Sequence, residues 1–106
     1  MRTLKFKVTN QHIQKDPDCS FYGLVSGSKG YLRAEFSFTP DWDGCVKAAS
    51  FWVGDVEHAV VLINDACMIP EEAVADTKFF VGITGKRAGM LVTTDRAMVM
   101  QRARWA

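Results

Sequence analysis

Tyr31-Leu32-Arg33-Ala34-Glu35-Phe36-Ser37-Phe38 is the stretch whose reading decides the fold. Successive side chains of an extended strand point to opposite faces, so Leu32, Ala34, Phe36 and Phe38 share one side while Arg33, Glu35 and Ser37 share the other. This alternation predicts a half-buried β-strand. Leu4 to Val8 repeats it, with Leu4, Phe6 and Val8 set against Lys5 and Lys7. Both strands should have one wet face.

Moving outward from these two, the runs lose their polar alternation. Val46 to Val53, Ala59 to Ile63 and Phe79 to Ile83 are rich in β-branched and aromatic residues, and Gly, Asp or Asn bound them. They are expected as central strands, followed by a further strand at Met90 to Thr94. The breaks Thr39-Pro40-Asp41-Trp42-Asp43-Gly44, Gly54-Asp55, Asn64-Asp65 and Gly85-Lys86-Arg87-Ala88-Gly89 concentrate residues that tolerate tight or positive-φ geometry, which predicts turns and consecutive hairpins. Pro70 to Ala75 breaks the pattern. A proline at the first helical position, followed by Glu71 and Glu72 near the positive end of the helix dipole, predicts one or two helical turns there. Gln11 to Gly30 gives the weakest signal and is open to either a short strand or a helical turn.

The chain has 106 residues, which sets the scale at one hydrophobic core, a single domain over 1–106. Its hydrophobic fraction of 48% and charged fraction of 24% argue for a globular fold and against disorder. Many short strands with one small helix point to an all-β sandwich or small barrel, the sandwich being the expected class. With 13 Lys and Arg against 12 Asp and Glu, the net charge of +1 gives no basic field of the kind a nucleic-acid-binding protein carries. No apolar run reaches the length of a membrane span, and the alternating start MRTLKFKVTN lacks the apolar core of a signal peptide, so a protein kept in the cytosol or carried in a particle is expected, without membrane insertion.

Residues able to carry chemistry are few and scattered. Cys19, Cys45 and Cys67 are odd in number and far apart, so reduced, partly buried thiols are expected. His12 and His58 are the only imidazoles, and neither stands in a recognisable relation to a serine or cysteine. No Cys-x-x-Cys or His-x-x-x-His pair is present to organise a tetrahedral metal site, and Asp41 and Asp43 lack the remaining positions of a calcium loop. Gly82-Ile83-Thr84-Gly85-Lys86 has neither the spacing nor the following helix of a phosphate-binding loop and reads as part of a hairpin. Gly23-Leu24-Val25-Ser26-Gly27 does not place its serine midway between glycines, as a nucleophile turn would. Adjacent Glu71 and Glu72 would point about 100° apart on a helix, so they cannot flank one substrate bond. No catalytic, cofactor-binding or metal-binding residue is therefore assigned. Arg96, Arg102 and Arg104 with Trp105 make a mildly basic C-terminus, open to contact with RNA, DNA or an acidic partner but expected rather as a solvated tail that orders against another protein.

The order Phe36-Ser37-Phe38, Trp42-Asp43-Gly44, Lys47-Ala48-Ala49-Ser50-Phe51 resembles the immunoglobulin-like module of tail and upper baseplate proteins from phages and prophages of Gram-positive bacteria. The similarity continues through Cys67-Met68-Ile69-Pro70-Glu71 and Val81-Gly82-Ile83-Thr84-Gly85 and covers Leu4 to Met100. It implies an immunoglobulin-like antiparallel β-sandwich and a virion setting in which the module docks to other tail or baseplate proteins and to copies of itself. Family modules are usually followed by stalk or fibre regions, so the chain reads as a stand-alone relative or a piece of a longer protein. From the residues themselves, Trp42 is expected to cap one end of the sandwich while Asp43-Gly44 turns the chain, with Phe51 in the core. The leading expectation is a non-enzymatic assembly module without cofactor. A carbohydrate- or cell-surface-binding module that stacks Trp52, Trp105 or Tyr31 on sugar rings is the alternative, and a small cysteine enzyme comes third.

Overall fold

The computed structural model describes residues 1–105. Ala106, the last residue of the expected C-terminal tail, lies outside them. In chain order the strands are β1 (Arg2–Thr9), β2 (His12–Lys15), β3 (Leu32–Phe38), β4 (Val46–Val53), β5 (Val56–Val61) and β6 (Ala66–Met68). The helix α1 (Glu71–Val74) follows, then β7 (Lys78–Arg87), β8 (Met90–Thr93) and β9 (Ala97–Met100). Two sheets pack face to face. One has the order β2-β1-β3-β6; the other has β5-β4-β7-β8, with β9 also paired to β7. The long β7 is thus shared on one side by two short strands, β8 against its second half and β9 against its first.

The expected all-β sandwich with one short helix is what the chain forms. Its ladders are antiparallel except one, because β1 and β3 run parallel in register from Arg2↔Leu32 to Val8↔Phe38. A parallel neighbour needs a crossover. The segment from residue 16 to residue 31, between β2 and β3, supplies it by carrying the chain back to the level at which β1 begins. Leu24 of this segment is buried, and Val25 forms a parallel bridge with Arg102, so the weakly patterned stretch is tied down at both sheets' ends.

Alternation delivers the core as expected. Leu4, Phe6 and Val8 from β1 and Leu32, Ala34 and Phe36 from β3 meet Ala49 and Phe51 from β4 and Phe79, Val81 and Ile83 from β7. Phe6 stacks on Phe36 with ring centroids 5.3 Å apart, and Phe51 and Phe79 tilt together at 6.1 Å across the second sheet. The turns follow their residue chemistry. Asn64 and Asp65 both adopt positive φ, 52° and 58°, the geometry of a tight two-residue hairpin turn between Ile63 and Ala66.

Trp42 ends a short 3-10 turn over Pro40–Trp42 and closes one end of the sandwich. It is fully buried, and its indole N–H donates to Asn10 O at 2.8 Å. Gly44, at φ 78°, then reverses the chain into β4.

Several boundaries depart from the sequence reading. Gly85, Lys86 and Arg87 belong to β7 rather than to a turn, pairing with Lys47, Val46 and β8, and the reversal falls at Ala88-Gly89. Gly85 is glycine because of its neighbour: a Cβ there would stand 2.6 Å from Trp42 Cζ3. Pro70 precedes the helix, extended at ψ 141°, and the helix proper is the single turn Glu71–Val74. The run expected as a central strand from Ala59 to Ile63 is instead the latter part of β5 and the turn beyond it, at the edge of its sheet, with Val61 61% and Ile63 75% exposed. Its apolar side chains do not mark burial on two faces.

Candidate functional site

The two outward faces of the sandwich differ in chemistry. On the four-stranded sheet, Thr3, Lys5 and Lys7 from β1, Gln14 from β2 and Arg33, Glu35 and Ser37 from β3 point away from the core, a polar and charged surface. On the five-stranded sheet the outward positions are Val46, Ala48, Ser50 and Trp52 from β4, Glu57, Ala59 and Val61 from β5, and Lys78, Phe80, Gly82, Thr84 and Lys86 from β7. Leu91 and Met98 continue this face on β8 and β9. Cross-strand register aligns Glu57, Trp52, Phe80 and Met98 in one row, so an aromatic stripe crosses the sheet. Val46 is 68% and Leu91 67% exposed.

Gly82 shapes the centre of this face. Without a side chain there, Arg96 lies across the sheet surface, its Cγ 3.8 Å from where a Cβ would be, and its guanidinium rests 3.9 Å from the Trp52 ring centroid. A cation over an indole face is an attractive pairing. Arg96 has no carboxylate partner among the described residues. At the other end of the row the Ser50 hydroxyl donates to the Glu57 carboxylate. The middle of the face is therefore apolar and aromatic, with an acid at the β5 edge, Arg96 over Trp52, and Lys78 and Lys86 towards the two ends of β7.

Beside that edge lies a groove between the two sheets, lined by Val60, Val61 and Ile63 on one wall and Arg33, Ala66, Cys67 and Met68 on the other. Cys67 sits on β6 opposite Ala34, and burial pushes its thiol up to about 11, the nearby Arg33 only partly opposing this. At neutral pH it is a thiol, not the thiolate that reacts. All three cysteines are free and half-buried, and they lie apart: Cys19 accepts the Lys5 N–H, Cys45 adjoins Trp42 and Gly85, and Cys67 is in the groove. Among the described residues no three His, Cys, Asp or Glu side chains gather as a metal-binding group, and no helix is long and apolar enough to cross a membrane.

The structure also forms a contact that sequence reading missed. His12 Nδ1 and Asp95 Oδ2 are 2.7 Å apart, and the other carboxylate oxygen accepts the Ile13 N–H at 2.8 Å. Asp95 N–H in turn donates to Gln11 O at 3.0 Å. The hydrogen bond from His12, and after it that from the Ile13 amide, holds the Asp95 carboxyl below the ordinary 3.8. Because β2 belongs to one sheet and Asp95 to the link between β8 and β9 of the other, this pair staples the two layers. Neither a serine nor a cysteine hydrogen-bonds to His12 among the described residues, so the pair lacks a nucleophile to activate. The two side chains are 83 positions apart, and no local motif could have announced them.

A pH dependence follows from that staple. A carboxyl whose folded value is depressed stabilises the fold fully above its unfolded value, and the contribution is lost as pH falls through the folded value. Acid unfolding of Asp95→Asn should therefore be less steep below about pH 4 than that of the native chain, while stability at neutral pH is lower; circular dichroism followed across an acid titration measures both.

The remaining expected positions are dispersed. Tyr31 precedes β3 and lines a cleft with Arg2, Leu24 and Val25, in which neither Trp52 nor Trp105 takes part. Trp105 is 92% exposed near the C-terminus. Glu71 and Glu72 are exposed at the helix start, with Glu71 3.3 Å from Lys29. The basic end is not a free tail up to Arg104: Arg102 N–H donates to Leu24 O, Ser26 N–H to Arg102 O, and Arg104 N–H to Ser26 Oγ. Gln101, buried beneath it, donates to Val74 O and Asp76 O. Comparison with protein-family models, with curated proteins and with solved structures gave no match.

Proposed function

We propose that the chain is a non-enzymatic structural module of a phage or prophage tail or baseplate, a virion component assembled in the host cytoplasm through contacts with other tail proteins and with its own copies. The observation that carries the assembly role is the outward face of the five-stranded sheet. A sandwich that works alone has reason to keep large apolar side chains off its outward faces. Here Val46, Leu91 and the Trp52–Phe80–Met98 row remain in reach of solvent instead. Aromatic side chains and methionine with an adjoining arginine are the composition of protein interfaces. The tail setting draws on the resemblance of Trp42-Asp43-Gly44 and its flanking strands to the phage module.

The non-enzymatic part of this reading is supported by Cys67, whose burial keeps the thiol protonated, and by the His12–Asp95 pair, which hydrogen-bonds to no serine or cysteine among the described residues. A sugar- or cell-surface-binding role is the second reading, favoured by the exposure of Trp105.

Isothermal titration of the chain with purified candidate tail and baseplate proteins separates the two. Leu91→Lys places a charge on the exposed face with little expected change in melting temperature, and it should weaken tail-protein binding about tenfold or more. Undiminished binding by this variant, or binding to glycans lost on Trp105→Ala with no tail-protein binding, would count against the assembly reading.

A further inference from the structure

We infer that β5 is a self-complementary sheet edge, through which two copies of the chain join into one continuous sheet across a two-fold axis at Ala59. The inference rests on the assembly reading and specifies one of its contacts.

The argument begins with backbone direction. Leu62 N–H donates to Lys47 O at 2.9 Å, so Leu62 faces β4. In an antiparallel ladder alternate residues turn their N–H and C=O to the same side. Val60 and His58 therefore bond to β4, while Glu57, Ala59 and Val61 turn theirs to the open edge. Among the described residues no other group takes those amides and carbonyls. The open stretch is bounded at both ends, by the Gly54-Asp55 turn before it and by Ile63, whose own backbone pairs with Ala66.

Exposed edges are normally blunted by lysine, proline, a bulge or brevity. The other edges among the described residues are short: β2 has four residues and ends in Lys15, β6 has three, and β8 and β9 beside β7 have four each. By contrast, β5 has six residues, Val56-Glu57-His58-Ala59-Val60-Val61, with no lysine or proline. Among the described residues it is the one long edge left open.

Only one antiparallel self-pairing uses all three outward residues. With Ala59 opposite Ala59 of the second copy, Glu57 stands opposite Val61 and Val61 opposite Glu57, and each facing pair exchanges two hydrogen bonds. The small Ala59 side chain lies on the axis, and no two like charges stand opposite one another. Centring the pair on Glu57 would set two carboxylates face to face, and centring it on Val61 would require the backbone of Ile63, which Ala66 already holds.

The same register places the remaining groups favourably. Val56, 58% exposed, falls opposite Leu62 of the second copy and covers apolar surface beside Ile63. Asp55 falls at the level of Ile63, which shares its groove with Arg33. Arg33 is already paired with Glu35 of its own chain, so it is the register itself that selects a second copy of this chain as the occupant: Glu57 and Val61 exchange places across the axis with no like charges opposed.

Sedimentation equilibrium of the intact chain tests this. The native chain should show a monomer–dimer equilibrium, and Ala59→Pro, which removes both N–H donors of the central pair while leaving the ladder to β4 intact, should raise the dimer Kd about tenfold or more. A second variant guards against misfolding of the first. Facing residues of a hydrogen-bonded pair have Cα atoms about 5.5 Å apart, within disulfide reach, so Ala59→Cys should cross-link to itself under mild oxidation. Glu57→Cys, about 13 Å from its own copy along the ladder, should not exceed the native background. A native chain that stays monomeric, Ala59→Pro that dimerises undiminished, or Ala59→Cys that cross-links no faster than Glu57→Cys would each overturn the self-pairing. The Leu91→Lys binding experiment is independent of all three, so loss of this contact and loss of the assembly role give different results.

Discussion

Replacing Trp42 by alanine is expected to lower the unfolding free energy by about 3–5 kcal/mol, the range for removing a large aromatic side chain from a core. The ring is fully buried at the end of the sandwich where β3, β4 and β7 converge, tilted 5.3 Å from Phe38 and seated on Gly85. Its N–H satisfies Asn10 O in the β1–β2 turn, so truncation also releases one of the polar contacts that hold this turn, beside those of Gln11 with Thr93 O and the Asp95 N–H. For a chain of this size the loss should appear as a fall in melting temperature of more than about 10 °C, readable by calorimetry or circular dichroism. Trp42→Phe, which keeps part of the ring and drops the N–H, should fall between the two. A change below about 1 kcal/mol for Trp42→Ala would mean that this end of the sandwich is not closed by the indole.

The second large effect belongs to Gly85→Ala. Glycine within a strand normally costs stability, and alanine would be expected to improve it by about 0.5–1 kcal/mol. Here the added Cβ would stand 2.6 Å and 2.8 Å from two ring carbons of Trp42 and 3.3 Å from Cys45 Cβ. Trp42 is enclosed on all sides and cannot yield without moving its neighbours, so the overpacking cost of about 1–3 kcal/mol should win. The clash has a defined partner, which makes a double-mutant cycle decisive. In a Trp42→Ala background Gly85→Ala should become neutral or stabilising. If it destabilised both backgrounds equally, the glycine would owe its place to something other than the indole.

How much of this could be read from the chain depends on which physical signal each element carries. Alternation located β1 and β3 because one face of each is wet, and the dense β-branched run gave β4 its full extent, Val46–Val53. The same signal misassigned β5. An apolar run says that water is unfavourable there, but not whether a neighbouring strand or a partner molecule removes it, and Val61 and Ile63 face outward at an edge. The short strands escaped for other reasons: β6 has only three residues, and β9, Ala97–Met100, is too brief to display a period. Gly85 was read as a turn residue because glycine signals both tight turns and close approach, and only the position of Trp42 distinguishes the two.

The candidate site was less legible than the fold. Trp52, Phe80 and Met98 come from three strands, and their alignment exists only once the register is set. Arg96 looked like part of a basic tail; its place over Trp52 depends on Gly82 being bare. The C-terminal arginines illustrate the same limit, since charge suggested a tail whereas backbone bonding to Leu24 and Ser26 holds the segment through Arg104 on the domain.

Hydrogen–deuterium exchange of the chain, free and within an assembled tail particle, tests the account's central claim most directly. Assembly through the five-stranded sheet predicts that the amides of Glu57, Ala59 and Val61 exchange freely in the isolated chain at dilutions where it is monomeric and become protected in the particle, while the β1–β3 ladder is unchanged. Protection gained on the charged β1–β3 face with none at β5, or a chain that is not incorporated into the particle at all, would contradict it.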